Sequence, residues 1–270
     1  MKRKRCRKWF TNSGKAKRAK NGMQVLRSGM KGVLLTCDNG LENRCLAEAL
    51  QLFKEYTAVD CDNSATASNY VNLESAVLYD AIDQCVNSLT ANDKLEKDAL
   101  CAVETGVKNC PFVSCPTDAD PVNLVNKIME DVSKGIRASN RLIQRLLPVE
   151  ITCHADVDSI SDFAGKLIKS HFSTDPAVTA EESSYAIVYK ARNNNCLSKE
   201  AIYDRINDQI RLINDKFKVV LENPKHCILV NTLKDVCCLS VVKDYYNYKK
   251  FNWNQIQLSN KLSEEGKKAD

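Results

Sequence analysis

Two stretches near the end of the chain, residues 227–233 and 236–242, are apolar at almost every position. A strand covered on both faces reads this way, so both runs predict central strands of a sheet. A third buried strand is expected over 32–37 (Gly-Val-Leu-Leu-Thr-Cys) and others over 110–115, 141–148 and 185–190. Helical spacing appears between them. Residues 42–56 place Cys45, Leu46, Ala49, Leu52 and Phe53 on one stripe, and Leu73, Val77, Ile82, Cys85, Val86 and Leu89 mark a further helix. Asp120-Pro121 opens another, because an Asp side chain accepts first-turn amides and Pro at the first helical position loses no bond. Val122, Val125, Ile128 and Val132 form its face, and helices follow over 155–171 and 198–213. Strands alternating with helices predict an α/β body with a mixed sheet. Residues 57–72 lack periodicity and read as a surface insertion, and the chain from Ser259 reads as a polar tail.

Charge divides the chain. Residues 1–31 hold twelve of the 39 basic residues and no acid, so the remainder carries 27 basic against 34 acidic side chains. The net charge of +5 therefore conceals a basic arm on an acidic body. Lys2, Arg3, Lys4 and Arg5 form a run that nuclear import receptors read and that releases counterions from phosphates. The arm has no apolar stretch of the signal-peptide type, and no run of about 18 apolar residues suggests a membrane span, so a nuclear location without membrane attachment is expected.

Candidate chemistry is sparse. Thirteen cysteines are spread without a C-x-x-C, and Cys110 and Cys115 have opposite strand parity, so no metal site is expected and Cys237-Cys238 read as small hydrophobes. There is neither a G-x-G-x-x-G nor a P-loop, which argues against a nucleotide cofactor. Gly29-Met30-Lys31-Gly32 has the short G-x-x-G form that clamps RNA in KH domains, but with no KH-like helix before it the better reading is a plain turn entering a strand. Cys153-His154 are neighbours that a strand would point apart, and Glu181-Glu182 and Glu264-Glu265 sit in polar stretches. No catalytic residue is assigned.

The segments 29–37 (Gly-Met-Lys-Gly-Val-Leu-Leu-Thr-Cys), 145–148 (Arg-Leu-Leu-Pro) with Thr152-Cys153, 187–194 (Ile-Val-Tyr-Lys-Ala-Arg-Asn-Asn) and 236–245 (Val-Cys-Cys-Leu-Ser-Val-Val-Lys-Asp-Tyr) occur in that order. In these the chain resembles the THUMP-domain adaptor family of tRNA cytidine acetylation, from about residue 29 to 253 apart from the divergent stretch 57–93. The resemblance implies an α+β protein with a basic arm over 1–28, a ferredoxin-like domain over 29–119, a THUMP domain with a mixed sheet over 120–253 and a flexible tail over 254–270. It implies a non-catalytic protein without a cofactor of its own. Such adaptors hold serine and leucine tRNAs for an ATP- and acetyl-CoA-dependent RNA cytidine acetyltransferase, which forms N4-acetylcytidine in the D-arm. A nuclear, and within it nucleolar, location goes with that role. The short stretch after Trp253, with no glycine loop for a cofactor, agrees with a protein that acts through a partner. Where the family has Ser-Gly before Thr-Cys, this chain has Glu150-Ile151, which sets an acid in a segment that could face RNA.

RNA contact is expected first where Lys190, Arg192, Asn193 and Asn194 leave a strand, since cations position phosphates and amides read bases or sugars. The asparagines could instead build the turn. Lys243 ends the last strand and is a second candidate, followed by Tyr246, Tyr248, Lys249, Lys250, Phe251 and Trp253, which interleave rings with charge and could stack on bases or pack on the body. Arg141 and Arg145 share strand parity and could meet phosphates or solvent, and Lys2, Arg3, Lys4 and Arg5 add salt-sensitive affinity. Two rivals differ in class: a ribosomal-RNA-binding assembly factor without tRNA preference, and an RNA-modifying enzyme that turns over alone.

Overall fold

The computed structural model describes residues 23–59, 99–137, 142–173, 184–213 and 217–266. The arm with Lys2, Arg3, Lys4 and Arg5, most of the insertion, the helix expected around Leu73–Leu89, and Arg141 lie outside them.

A first sheet has the order β1 (Gln24–Val25), β3 (Cys101–Glu104), β4 (Phe112–Ser114), β2 (Gly32–Thr36), β5 (Arg145–Val149). Helix α1 (Glu42–Val59) follows β2 and α2 (Pro121–Ser133) follows β4. Setting β1 aside, the described elements run β-α-β-β-α-β with antiparallel neighbours, which is the ferredoxin-like order. Helix α2 and strand β5 thus complete the first sheet. The chain changes sheet at Glu150, whereas the sequence suggests a boundary between 119 and 120. Periodicity marks where an element begins, while the sheet a strand joins is set by a partner far along the chain.

The second sheet has the order β6 (Ile151–His154), β10 (Val236–Val242), β9 (His226–Leu233), β7 (Ser184–Arg192), β8 (Lys218–Val219). Strand β7 is parallel to β9 and β8, and the other pairs are antiparallel, so the sheet is mixed. Its central strands β9 and β10, apolar at almost every position, have two faces to cover. Cys227, Leu229, Leu233, Val236, Cys238 and Val242 join the core of the first sheet with α1 and α2. Ile228, Val230, Cys237, Leu239 and Val241 pack under α3 (Val157–Ser173) and α4 (Lys199–Ile213). β9 and β10 thus divide two cores, one shared with the first sheet, α1 and α2 and the other with α3 and α4.

Helix α2 begins as the local chemistry dictates. Asp120, extended at φ −103°, accepts from the amides of Val122 (2.9 Å) and Asn123 (3.2 Å), with Pro121 at the first turn. At the other end Gly135 (φ 73°) allows the Gly135 and Ile136 amides to reach the carbonyls of Val132 and Asp131. Asp120→Ala should lower stability by about 1 kcal/mol, measured by urea denaturation, because two first-turn amides lose their acceptor.

The polar end of the chain departs from expectation. Residues 253–266 form α5 (Trp253–Gly266), started by Asn252, whose Oδ1 accepts from the Gln255 amide at 3.1 Å. Trp253 and Ile256 are buried, and Asn260 Nδ2 donates to the Val132 carbonyl at 2.9 Å, which ties α5 to α2. Two buried side chains in the first turn and the Asn260 bond dock the helix, while Leu258 and Leu262 stay exposed.

Candidate nucleic-acid interface

Strand β7 sorts its side chains by parity. Tyr185, Ile187 and Tyr189 pack with the helix-side core, while Val188 packs toward the first sheet. Lys190 and Arg192 share the parity of Val188, so they emerge on the side of the first sheet, opposite Asn231 and Leu233 of β9. Arg145 approaches from the other sheet as the first residue of β5, its backbone bridged to Asn252. Lys250, on the turn just before that bridge, is the fourth member.

These cations repel one another. Lys190 is exposed, yet its ammonium is held below the ordinary lysine value, first by partial loss of hydration and then by Arg145, Arg192 and Lys250. Among the described residues none of the four forms an ion pair with an acid. Arg192 Nη1 is shut off from solvent without a hydrogen-bond partner. Its charge also acts on the thiols of Cys110 and Cys238, opposing the upward push of burial. A cluster of like charge without acids is unfavourable in the free protein and is relieved by a polyanion. Arg145, Lys190 and Arg192 were legible in the sequence. Lys250 was legible only as one charge in the ring-and-charge segment 246–253; its place beside Arg145 depends on how the turn folds back.

The other candidates separate. Asn194 builds the turn: its Nδ2 donates to the Lys234 carbonyl (2.6 Å), and its Oδ1 accepts from the amides of Cys196 (3.0 Å) and Leu197 (3.3 Å). Asn193 stays exposed at the tip, with a φ of 55° that asparagine tolerates. Lys243 is exposed at the opposite end of the sheet. Val242 pairs with Cys227, and Lys190 faces Asn231, four positions or about 13 Å away along β9. The ring cluster packs inward, with Tyr245 3%, Phe251 0% and Trp253 1% exposed and the Tyr245 and Phe251 rings 5.7 Å apart. Tyr246 and Tyr248 are partly buried beside them.

Gly29 and Gly32 belong to a turn and a strand. Gly29 (φ 86°) donates its amide to the Thr152 carbonyl at 2.7 Å. A Cβ on Gly32 would lie 2.0 Å from the Val113 carbonyl oxygen, so glycine is required there by the close approach of β4. Cys153 is a buried free thiol beside the Cys237 thiol, and His154 is exposed on the other face of β6, so the two do not form a nucleophile and base. Of the ten cysteines described, nine are buried and only Cys196 is exposed. Burial pushes Cys37 up to about 11 and Cys115 and Cys227 up to about 12, which leaves them protonated small hydrophobes.

Glu150 occupies the residue between β5 and β6, and its carboxylate turns into the protein. Oε2 accepts from the Val241 amide (2.7 Å) and the Ser240 hydroxyl (3.2 Å), and Oε1 lies 2.6 Å from His171 Nε2. Pairing of β6 with β10 ends at Ile151 and Leu239, so the Val241 amide lies beyond the end of that pairing. Glu150 supplies its acceptor and ties α3 to the sheet.

The second sheet with its two helices carries the comparison with known proteins. Residues 154–242 match the family model of the THUMP domain, so this is a THUMP-domain protein. THUMP domain-containing protein 1 of Mus musculus is 30% identical over 261 residues, spanning 92% of this chain and 72% of the mouse protein. The chain belongs to the THUMP domain-containing protein 1 family. A protein of Saccharomyces cerevisiae named tRNA acetyltransferase TAN1 is 24% identical over 277 residues, 95% of this chain and 94% of that one. The solution structure of the THUMP domain of THUMP domain-containing protein 1 is 31% identical and covers 32% of this chain and 83% of its own, with a TM-score of 0.28.

Proposed function

We propose that the protein is a non-catalytic adaptor that binds serine and leucine tRNAs and presents them to an RNA cytidine acetyltransferase, which uses ATP and acetyl-CoA to form N4-acetylcytidine in the D-arm. The observation that carries the reading is the convergence of Arg145, Lys190, Arg192 and Lys250, without an acid, where the two sheets meet. That arrangement suits a ligand with closely spaced phosphates. The name of the yeast relative supports tRNA as that ligand and acetylation as the reaction. Cys153 and His154 point apart, in keeping with chemistry performed by a partner. In this reading Asn193 and Lys243 make further contacts, Asn194 holds the loop that bears Asn193, and Arg141 together with Lys2, Arg3, Lys4 and Arg5 extends the basic surface. The setting is the nucleus, and within it the nucleolus.

Mass spectrometry of N4-acetylcytidine in cells with and without the protein tests this. Loss confined to serine and leucine tRNA is expected, with ribosomal RNA from the same cells unchanged. Unchanged tRNA acetylation would overturn the adaptor role, and loss in ribosomal RNA alone would favour the assembly factor.

A further inference from the structure

We propose that Lys250 is an RNA-contacting residue, held beside Arg145, Lys190 and Arg192 by a left-handed turn so that four cations close on one group of RNA phosphates. The proposal rests on the reading of this protein as an RNA binder and assigns Lys250 a phosphate contact, where the sequence offered only a ring-and-charge segment that could stack bases.

The backbone around Lys250 is unusual. Lys249, Lys250 and Phe251 have φ of 51°, 61° and 54°, three successive left-handed residues without a glycine. Each such residue is strained relative to the right-handed form, because its Cβ crowds the following carbonyl oxygen. The turn is pinned on both sides. The amides of Tyr248 and Lys250 donate to the carbonyls of Asp244 (2.9 Å) and Tyr245 (2.7 Å). Phe251 is fully buried, its carbonyl accepts from the Leu146 amide (3.3 Å), and the Trp253 amide donates to the Gln144 carbonyl (3.0 Å). Anchored between β10 and β5, residue 250 cannot swing away from Arg145.

Within the free protein the lysine gains little from this position. Its ammonium lies over the Tyr246 ring at 5.6 Å, a weak attraction at an exposed site, and none of the ion pairs among the described residues includes it. Meanwhile its charge repels Lys190. Burial of Phe251 explains the turn but not a cation at its centre, where glycine would relieve both strain and repulsion. A strained, self-repelling cation gains its compensation when an anion binds.

The test compares Lys250→Gln, which removes the charge and keeps the side-chain length, with Lys250→Arg, which keeps the charge. Binding of serine tRNA to the full chain is measured across a salt series. Lys250→Gln should weaken binding roughly ten- to a hundredfold, as for a lost charge-assisted contact. It should also reduce the slope of log affinity against log salt by about 0.9, while Lys250→Arg stays near wild type. Lysine side-chain NMR of the free protein gives a readout that needs no RNA: Lys250→Gln should raise the Lys190 pKa, and an unmoved value would refute the geometry. Using tRNA with and without its 5′-phosphate separates two sources of the anion. An effect that disappears with that phosphate assigns the terminal group, and one that persists assigns the internal backbone. Wild-type affinity and slope in Lys250→Gln would overturn the proposal and leave the adaptor reading intact. Failure of the wild-type chain to bind tRNA would instead remove the reading itself.

Discussion

Lys190→Glu combined with Arg192→Gln is expected to reduce tRNA affinity by roughly a hundredfold or more. Each side chain contributes a charge-assisted contact of about 1.5–3 kcal/mol, and about 1.4 kcal/mol is a factor of ten. The introduced carboxylate adds repulsion toward phosphate, so the pair exceeds two simple deletions. The slope of log affinity against log salt should fall by about 2 at the same time, since two cations no longer displace counterions. Folding should survive, because an acid at 190 faces Arg145 and Lys250, and glutamine at the half-buried 192 keeps a polar end near Cys110 and Cys238. Lys199→Glu on α4, where the ammonium lies 5.2 Å from the Tyr203 ring, serves as the control and should leave affinity within about twofold. Filter binding with serine tRNA, beside the thermal midpoint of each variant, separates the outcomes. Wild-type affinity in a folded double variant would remove the cluster from the interface.

The largest effect on stability is expected at Glu150. Glu150→Ala strips the Val241 amide and the Ser240 hydroxyl of their acceptor and leaves His171 without its partner. Such a loss in a mostly buried network costs about 2–4 kcal/mol, a large fraction of the margin of an ordinary domain. Glu150→Gln keeps an acceptor of the same reach and should recover part of this, losing mainly the extra strength of a charged acceptor. Urea denaturation of the three proteins measures the difference. An alanine variant within about 0.5 kcal/mol of wild type would show that water replaces the carboxylate without cost. Glutamine should leave RNA affinity unchanged, since the acid points to α3 and β10 and away from the four cations. An acid that in one dimension seemed to intrude on an RNA-facing segment is thus a strand-end acceptor.

Where a residue's role depends on its near neighbours, the sequence is a sufficient guide. A strand end entering a turn brought Lys190 and Arg192 forward, Asp120-Pro121 announced its helix, and two nearly unbroken apolar runs announced β9 and β10 as central strands. The four ordered segments were specific enough to point to the family, which identity over nearly the whole chain establishes. What escaped were elements with little periodicity to show. β1 and β8 have two residues each, β6 has four, and α5 buries apolar side chains only in its first turn among its described residues.

Helical and strand periods, caps and turns are local quantities, read over a few residues, and these the amino-acid order settled, together with the class of protein. Which sheet β5 would join, where Glu150 would point, that Lys243 would lie apart from Lys190, and that Lys250 would come to Arg145 all depend on pairings between distant segments. Those were settled when two cores formed around the second sheet and the chain after β10 was pinned back across the first. The cluster of four cations belongs to this second group, because like charges converge only when larger apolar burial elsewhere holds them together.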